Sequence, residues 1–224
     1  MKLRSRALAA PAALLLACGG STSAPTPRPI DPALEAEAVG ATAAAEPVQI
    51  IFNWAVDDRD ARFSGQGVAR IEPPRRARVD LFGPRGEGYL SAVLDGAELH
   101  LPGGIENVPL PPPGLFWSVL GMFKPPPGAT LVGAEKRNDA VTLEYSAGTD
   151  VWRFRLNGGK LQQAEWTGGG QGRRTVALQG ADDNGLPRQA TYRDWPAFLE
   201  LRLTPTEVRK VDGFPSEIWT LPRQ

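Results

Sequence analysis

The chain has 224 residues, with 25 basic side chains against 25 acidic ones, a balance that gives nucleic acid no positive surface to bind. It holds one cysteine, Cys18, and one histidine, His100, so no disulfide can brace the fold and a zinc site, which needs several Cys or His ligands, cannot be assembled. No metal, no cofactor and no catalytic residue is expected, and a Ser-His-Asp triad would have to be built on His100 alone.

Lys2, Arg4 and Arg6 precede an apolar run from Ala7 to Ala17, the layout of an export signal. The run is shorter than the ~20 residues that a membrane-spanning helix needs. Leu15-Leu16-Ala17-Cys18 resembles the lipobox of bacterial lipoproteins, which implies cleavage after Ala17 and acyl chains on Cys18. An ordinary signal peptide that contains a cysteine is the simpler alternative. Residues 1 to 17 are thus expected to be a signal, residues 18 to 30 a lipidated cysteine with a Gly/Ser/Thr/Pro tether, and residues 31 to 224 one folded domain. Cleavage would leave 22 basic against 25 acidic residues. Gly19 after the cysteine implies sorting to the periplasmic face of the outer membrane, or to the cell membrane in an organism with a single one.

Asp31-Pro32 offers a helix cap and a first-turn proline, so an amphipathic helix is expected over Ala33 to Ala45. From Val48 the period becomes two, with Ile50, Phe52, Trp54 and Val56 on one face of a strand. Strands over Arg62 to Glu72 and Arg76 to Phe82 follow, the first with Gly65 and Gly67 as signs of a bend or bulge. The link Gly83 to Gly88 leads to strands Tyr89 to Leu94 and Ala97 to Leu101, and the alternation in the second turns His100 away from the apolar face. A proline-rich loop precedes a short, wholly apolar helix, Gly114 to Phe123, stopped by Pro125-Pro126-Pro127. The second half repeats the strand grammar from Leu131 to Val211, with Phe198 to Leu203 and Glu207 to Val211 as separate strands. Asp57-Asp58-Arg59-Asp60 and Asp182-Asp183-Asn184-Gly185 read as turns, not as calcium loops or acid/base pairs. A dozen or so short strands at this spacing describe an all-β barrel or sandwich.

This order of parts resembles the LolA/LolB-like superfamily, closest to its LolB branch. The parallels are Phe52-Asn53-Trp54, the loop Gly83-Pro84-Arg85-Gly86, and Val108-Pro109-Leu110 followed by Trp117-Ser118-Val119-Leu120-Gly121, spread over residues 48 to 156. The resemblance implies a mainly β (α+β) fold, a strongly curved, incomplete antiparallel barrel whose short helices cover an apolar cavity. It also implies a lipid-anchored monomer that receives a lipoprotein acyl chain or a lipid, with a periplasmic carrier protein as a possible donor, and no enzymatic role. An acyl chain has no hydrogen-bonding groups, so burial alone must hold it, at about 0.8 kcal/mol per methylene.

Cavity walls are expected from Ile50, Phe52, Trp54, Val79, Leu81, Leu90 and Leu94, with Phe116, Trp117, Leu120 and Phe123 on a helix acting as a lid; the same residues would equally fill an ordinary core. Pro84, Arg85 and Gly86 are the expected membrane-facing loop, where arginine replaces the exposed apolar residue of the LolB branch. The alternative role is that of an envelope sensor or scaffold that binds a protein partner and carries no lipid.

Cys18→Ser is expected to leave the protein unanchored, because no other segment of the sequence is long and apolar enough to hold it in a bilayer. Retention of the variant in washed membranes would contradict the anchor.

Overall fold

Val48 to Asp57 forms β1, whose alternating side chains point Ile50, Phe52, Trp54 and Val56 inward. The computed structural model describes residues 30–59, 61–103, 109–170, 172–181 and 186–221. The expected signal, Cys18, the expected tether up to residue 29, Asp60, Val108 and the expected turn Asp182 to Gly185 lie outside the described residues.

A helix, α1 (Pro32–Thr42), precedes β1. After it come β2 (Arg62–Glu72), β3 (Arg76–Phe82), β4 (Gly88–Asp95) and β5 (Glu98–His100). A second helix, α2 (Pro113–Val119), leads to β6 (Thr130–Arg137), β7 (Ala140–Ala147), β8 (Asp150–Asn157), β9 (Lys160–Gly168) and β10 (Gly172–Gln179). The last strands are β11 (Gln189–Asp194) and β12 (Leu199–Lys210), followed by a 3-10 turn at Ser216–Trp219.

All 12 strands join one antiparallel sheet in the order β5-β4-β3-β2-β1-β12-β11-β10-β9-β8-β7-β6. The first and last strands meet in the middle, and β5 and β6 are the edges, so the sheet is a curved barrel that does not close. One cross-strand row shows how the concave face is built: Val56, Leu201, Tyr192, Val176, Ala164, Phe154, Leu143 and Ala134 stand opposite one another in turn. All are buried.

The inside of the curl is filled by α2. Leu115, Phe116, Trp117, Ser118, Val119, Leu120, Met122 and Phe123 are all buried, packed toward β9, β10 and β11. A helix apolar on every side needs such a site. It is shorter than expected and ends at Gly121, not at the prolines. Gly121 takes φ 85°, its N–H donates to Ser118 O at 3.0 Å, and Met122 N donates to Trp117 O at 3.0 Å. This Schellman closure requires a left-handed residue, which glycine supplies. Phe123 N then donates to Thr42 Oγ1 at 2.9 Å, tying the plug to the end of α1.

Two other expectations are corrected. Gly65 and Gly67 make no bulge, since β2 pairs with β1 and β3 without a register shift. They are glycines because the rings of β1 lie across them. A Cβ on Gly67 would stand 2.4 Å from the Phe52 ring, and one on Gly65 would strike Phe82 O at 1.9 Å. That carbonyl, with Gln66 O, accepts from Trp54 Nε1, both at 3.0 Å. The segments Phe198 to Leu203 and Glu207 to Val211 are one strand, β12, interrupted by a bulge that leaves Thr206 unpaired beside Pro205. Proline is tolerated there because β11 ends its pairing at Leu203, so no ladder bond is lost.

The convex face carries one buried acid. Asp80 is 5% exposed and is held by Arg70, by Arg78 Nε at 2.9 Å and by Ser91 Oγ at 2.7 Å. Arg78 also donates to Ile218 O in the 3-10 turn, which thereby covers this side of β3.

Gly67→Ala is expected to destabilise the domain by about 1–3 kcal/mol, the usual cost of overpacking, measured by urea unfolding. Adding Phe52→Leu should recover part of that loss. Additive losses would show that the Phe52 ring does not depend on the glycine.

Candidate functional site

The strands are longer than their plug. β1 has 10 residues and extends about 33 Å at ~3.3 Å per residue, whereas the 7 residues of α2 span about 10 Å at ~1.5 Å each. At one end of the barrel the interior is covered instead by the tail of α1 and the link to β1. That stretch is Ala41-Thr42-Ala43-Ala44-Ala45-Glu46, too small in its side chains to fill the space.

A cavity of about 390 Å³ remains there, lined by Ala41 to Glu46, Val48, Ile71, Gly121, Met122, Gly159, Lys160, Leu186, Val208 and Lys210. Its volume lies within the ~300–1,000 Å³ of small-molecule sites. The walls are mostly aliphatic, and the charged groups are Lys160, Lys210 and Glu46. Lys210 Nζ is 3.1 Å from Glu46 Oε2. Gly159, at φ 73°, admits the helix, since a Cβ there would stand 3.3 Å from Ala41 Cβ.

The expected wall residues lie deeper. Ile50, Phe52, Trp54, Val79, Leu81, Leu90 and Leu94 are all buried and belong to one cluster with Phe116, Trp117, Leu120 and Phe123. Among them Ile50, Phe52 and Leu120 border a void of only about 20 Å³, with Ala69, Val119 and Leu203. Phe123 packs edge-on against Phe154 at 4.9 Å, so the end of the segment expected to be a lid is held inside the fold. Trp117 borders a separate cleft of about 240 Å³ with Pro74, Arg75, Pro113, Gly114, Lys124 and Pro125. There Lys124 Nζ lies 5.2 Å from the Trp117 ring and donates to Pro74 O, and partial burial lowers its pKa.

The larger cavity is thus bounded by residues that the sequence reading passed over. A signal for them exists. Val48 is in phase with Ile50, and Ile71 stands opposite Val48 across β1 and β2; Val208 stands opposite Ile50 on β12. The alanine run before β1 is the complementary sign, small side chains where a wall would otherwise be filled.

Two buried tyrosines stay neutral, their pKa values raised chiefly by burial. Tyr145 Oη donates to Glu35 Oε1 at 2.6 Å, which pins the first turn of α1 to β7. His100 is exposed on the edge strand β5, its Nε2 3.8 Å from Glu98 Oε2. Asp58 closes the β1–β2 turn, accepting from Ala61 N at 2.8 Å.

Pro84, Arg85 and Gly86 form the tip between β3 and β4. Gly83 N donates to Glu87 O at 2.8 Å, and Gly86 takes φ 83°. The Arg85 side chain is 90% exposed, with its Nε 4.0 Å from Glu87 Oε1. This tip lies at the opposite end of the strands from the cavity. Among the described residues no helix is long and apolar enough to cross a membrane.

No family model matches the chain, and no curated protein matches it in sequence. Solved structures do. A LolA superfamily protein of Nitrosomonas europaea is 14% identical, with TM-score 0.58 over 85% of this chain and 97% of the other. A domain assigned to outer membrane lipoprotein sorting, from Vibrio parahaemolyticus, is 10% identical with TM-score 0.58, covering 84% of this chain and 94% of its own. A DUF1329 family protein of Desulfovibrio piger is 9% identical with TM-score 0.51 over 84% and 96%. Together with the open, plugged, antiparallel barrel, these likenesses give the chain the LolA/LolB-like fold.

Proposed function

We propose that this is a lipid-anchored envelope protein that takes an acyl chain, of a lipoprotein or of a lipid, into the cavity under the tail of α1, as a step in lipoprotein delivery to the outer membrane. The observation that carries the reading is the aliphatic cavity of about 390 Å³ with lysines among its lining residues. Most of the lining residues are aliphatic, with Thr42, Glu46, Lys160 and Lys210 as the polar side chains, and a chain of methylenes gains about 0.8 kcal/mol for each one buried. Lys160 gives an anionic head group a partner, while Lys210 is paired with Glu46. The anchor at Cys18 follows from the lipobox, and the fold is that of the lipoprotein-sorting domain described above. Wall residues deeper in the barrel, from Ile50 to Phe123, would join the site if the plug shifts.

The packing of the plug favours a second reading. With a void of only about 20 Å³ between α2 and the sheet, the domain could instead serve as an envelope sensor or scaffold with a protein partner. Native mass spectrometry of the purified chain separates the two, since a co-purified lipid belongs only to the first.

Ala44→Phe places a ring in the cavity from a partly exposed position outside the strands. Binding of a fluorescent fatty acid should fall about tenfold, equivalent to ~1.4 kcal/mol, with little change in thermal stability. Unchanged binding would exclude this cavity as the site.

The Arg85 tip is assigned in this reading to anionic headgroups. Near such a surface one arginine contributes about 1 kcal/mol, so Arg85→Ala should weaken binding to phosphatidylglycerol vesicles about fivefold. Salt should weaken it too, and equal binding to neutral vesicles would remove the role.

A further inference from the structure

The end of the barrel opposite the cavity carries an arrangement that the proposed cargo site does not use. β11 and β12 are joined by Trp195-Pro196-Ala197-Phe198, and both aromatic side chains project into solvent, Trp195 at 51% and Phe198 at 64% exposure. This tip is braced. Phe198 N donates to Trp195 O at 3.3 Å, and Ala197 N donates to Asp194 Oδ1 at 3.2 Å. Pro196 rests on Gly172, where a Cβ would stand 2.3 Å from its Cγ. Phe198 takes φ 57°, a left-handed conformation that bulky residues avoid. The chain accepts this strain to hold a phenyl ring outward, where it adds nothing to the core.

Basic groups accompany the rings. Arg59, on the neighbouring β1–β2 turn, lies 4.0 Å from the centre of the Phe198 ring, and Arg193 lies 5.9 Å from that of Trp195. Phe63 and Tyr89, also partly exposed, stack at 5.9 Å on the same end, beside the Arg85 tip. The cleft beside them is lined by Trp195, Phe198 and Leu199 together with Asp57, Arg193, Asp194 and Glu200, and Arg193 pairs there with Glu200 at 2.7 Å. Aromatic rings flanked by arginines are the side chains that settle at the membrane–water interface.

The route of the chain selects the same occupant. Tyr145, bonded to Glu35 in the first turn of α1, stands in the cross-strand row Trp152, Trp166, Arg174, Asp194, which ends beside Trp195. Ala41 at the other end of α1 lies by Gly159, at the cavity. Residue 30 therefore joins the domain from the side of the aromatic tips. From Cys18 to Ile30 there are 12 peptide links, at most about 40 Å of chain.

We infer that the β11–β12 tip, through Trp195 and Phe198, docks the domain on the interfacial region of a phospholipid bilayer, an inference that rests on the reading of Cys18 as the anchor. The test uses the full chain with Cys18→Ser, without acyl groups, and vesicles of phosphatidylethanolamine and phosphatidylglycerol. Trp195→Ser with Phe198→Ser should lower vesicle binding about tenfold, while Trp195→Phe with Phe198→Tyr should bind as the parent does. In the parent, brominated lipid should quench a fraction of tryptophan fluorescence that is missing in Trp195→Phe. Equal binding by the serine variant, an equal loss in the aromatic variant, or docking of a protein on the tip without vesicle binding would each overturn the inference. Palmitate labelling of the chain that keeps Cys18 reads the anchor separately, and its failure would leave the vesicle comparison intact.

Discussion

A long antiparallel sheet twists and curls, and an open curl exposes its concave face unless something is placed inside it. In this chain that object is α2, and the rest of the domain is arranged around it. Every position from Leu115 to Leu120 is buried, so the helix cannot offer a polar side to solvent and must be surrounded. The Gly121 closure turns the chain back at the end of the plug, and Phe123 then reaches Thr42. On β2, glycines where larger residues would stand let Phe52 and Trp54 lie flat against the sheet.

The plug's length decides where space is left. Filling the whole barrel would take a helix about three times as long, given the rise of helix and strand. The chain instead covers one end with a short helix and a run of alanines. A cavity results from side chains too small to meet, and its walls come from the ends of β1, β2 and β12. Large residues in the strand centres therefore make the core, and small residues between elements make the candidate site.

Much of the fold was legible because one face of nearly every strand is buried, which writes a period of two into the sequence. The boundaries of β2 and β3 could be read directly. Errors arose where one residue type serves two geometries. Pro205 reads as a strand break, yet it sits at a bulge on a stretch with a free side. Gly65 and Gly67 read as a bulge, yet they make room for rings from another strand, which no local pattern reveals. Asp80 alternates with the inward Ala77, Val79 and Leu81, and it is buried by Arg70, Arg78 and Ser91, with Arg78 reaching the distant Ile218. The larger cavity is not marked by pattern for a related reason: hydrophobic pattern marks what is buried, and it does not distinguish a wall with space before it from a wall in contact.

The two ends of the barrel have opposite characters, and α1 runs from its contact with Tyr145 toward the cavity end. The cavity opens among lysines and alanines at the end of the β6–β7 and β8–β9 turns. The aromatic tips and Arg85 stand at the other. With the tips on a bilayer, the mouth of the cavity faces away from it, toward whatever hands over an acyl chain, so docking and acceptance are compatible in one orientation. Release into that same bilayer is not, because the mouth then lies a strand's length from the surface, about 30 Å. In the proposed function, delivery would then require the domain to leave its docked pose and turn over. A tether of at most about 40 Å permits that turn without letting the domain diffuse away. Under the proposed reading an anchor through Cys18 would keep the protein at the membrane during the turn, so the tips would need to hold it only weakly. Two exposed rings beside arginines provide contact that is easily reversed, as an inserted helix would not.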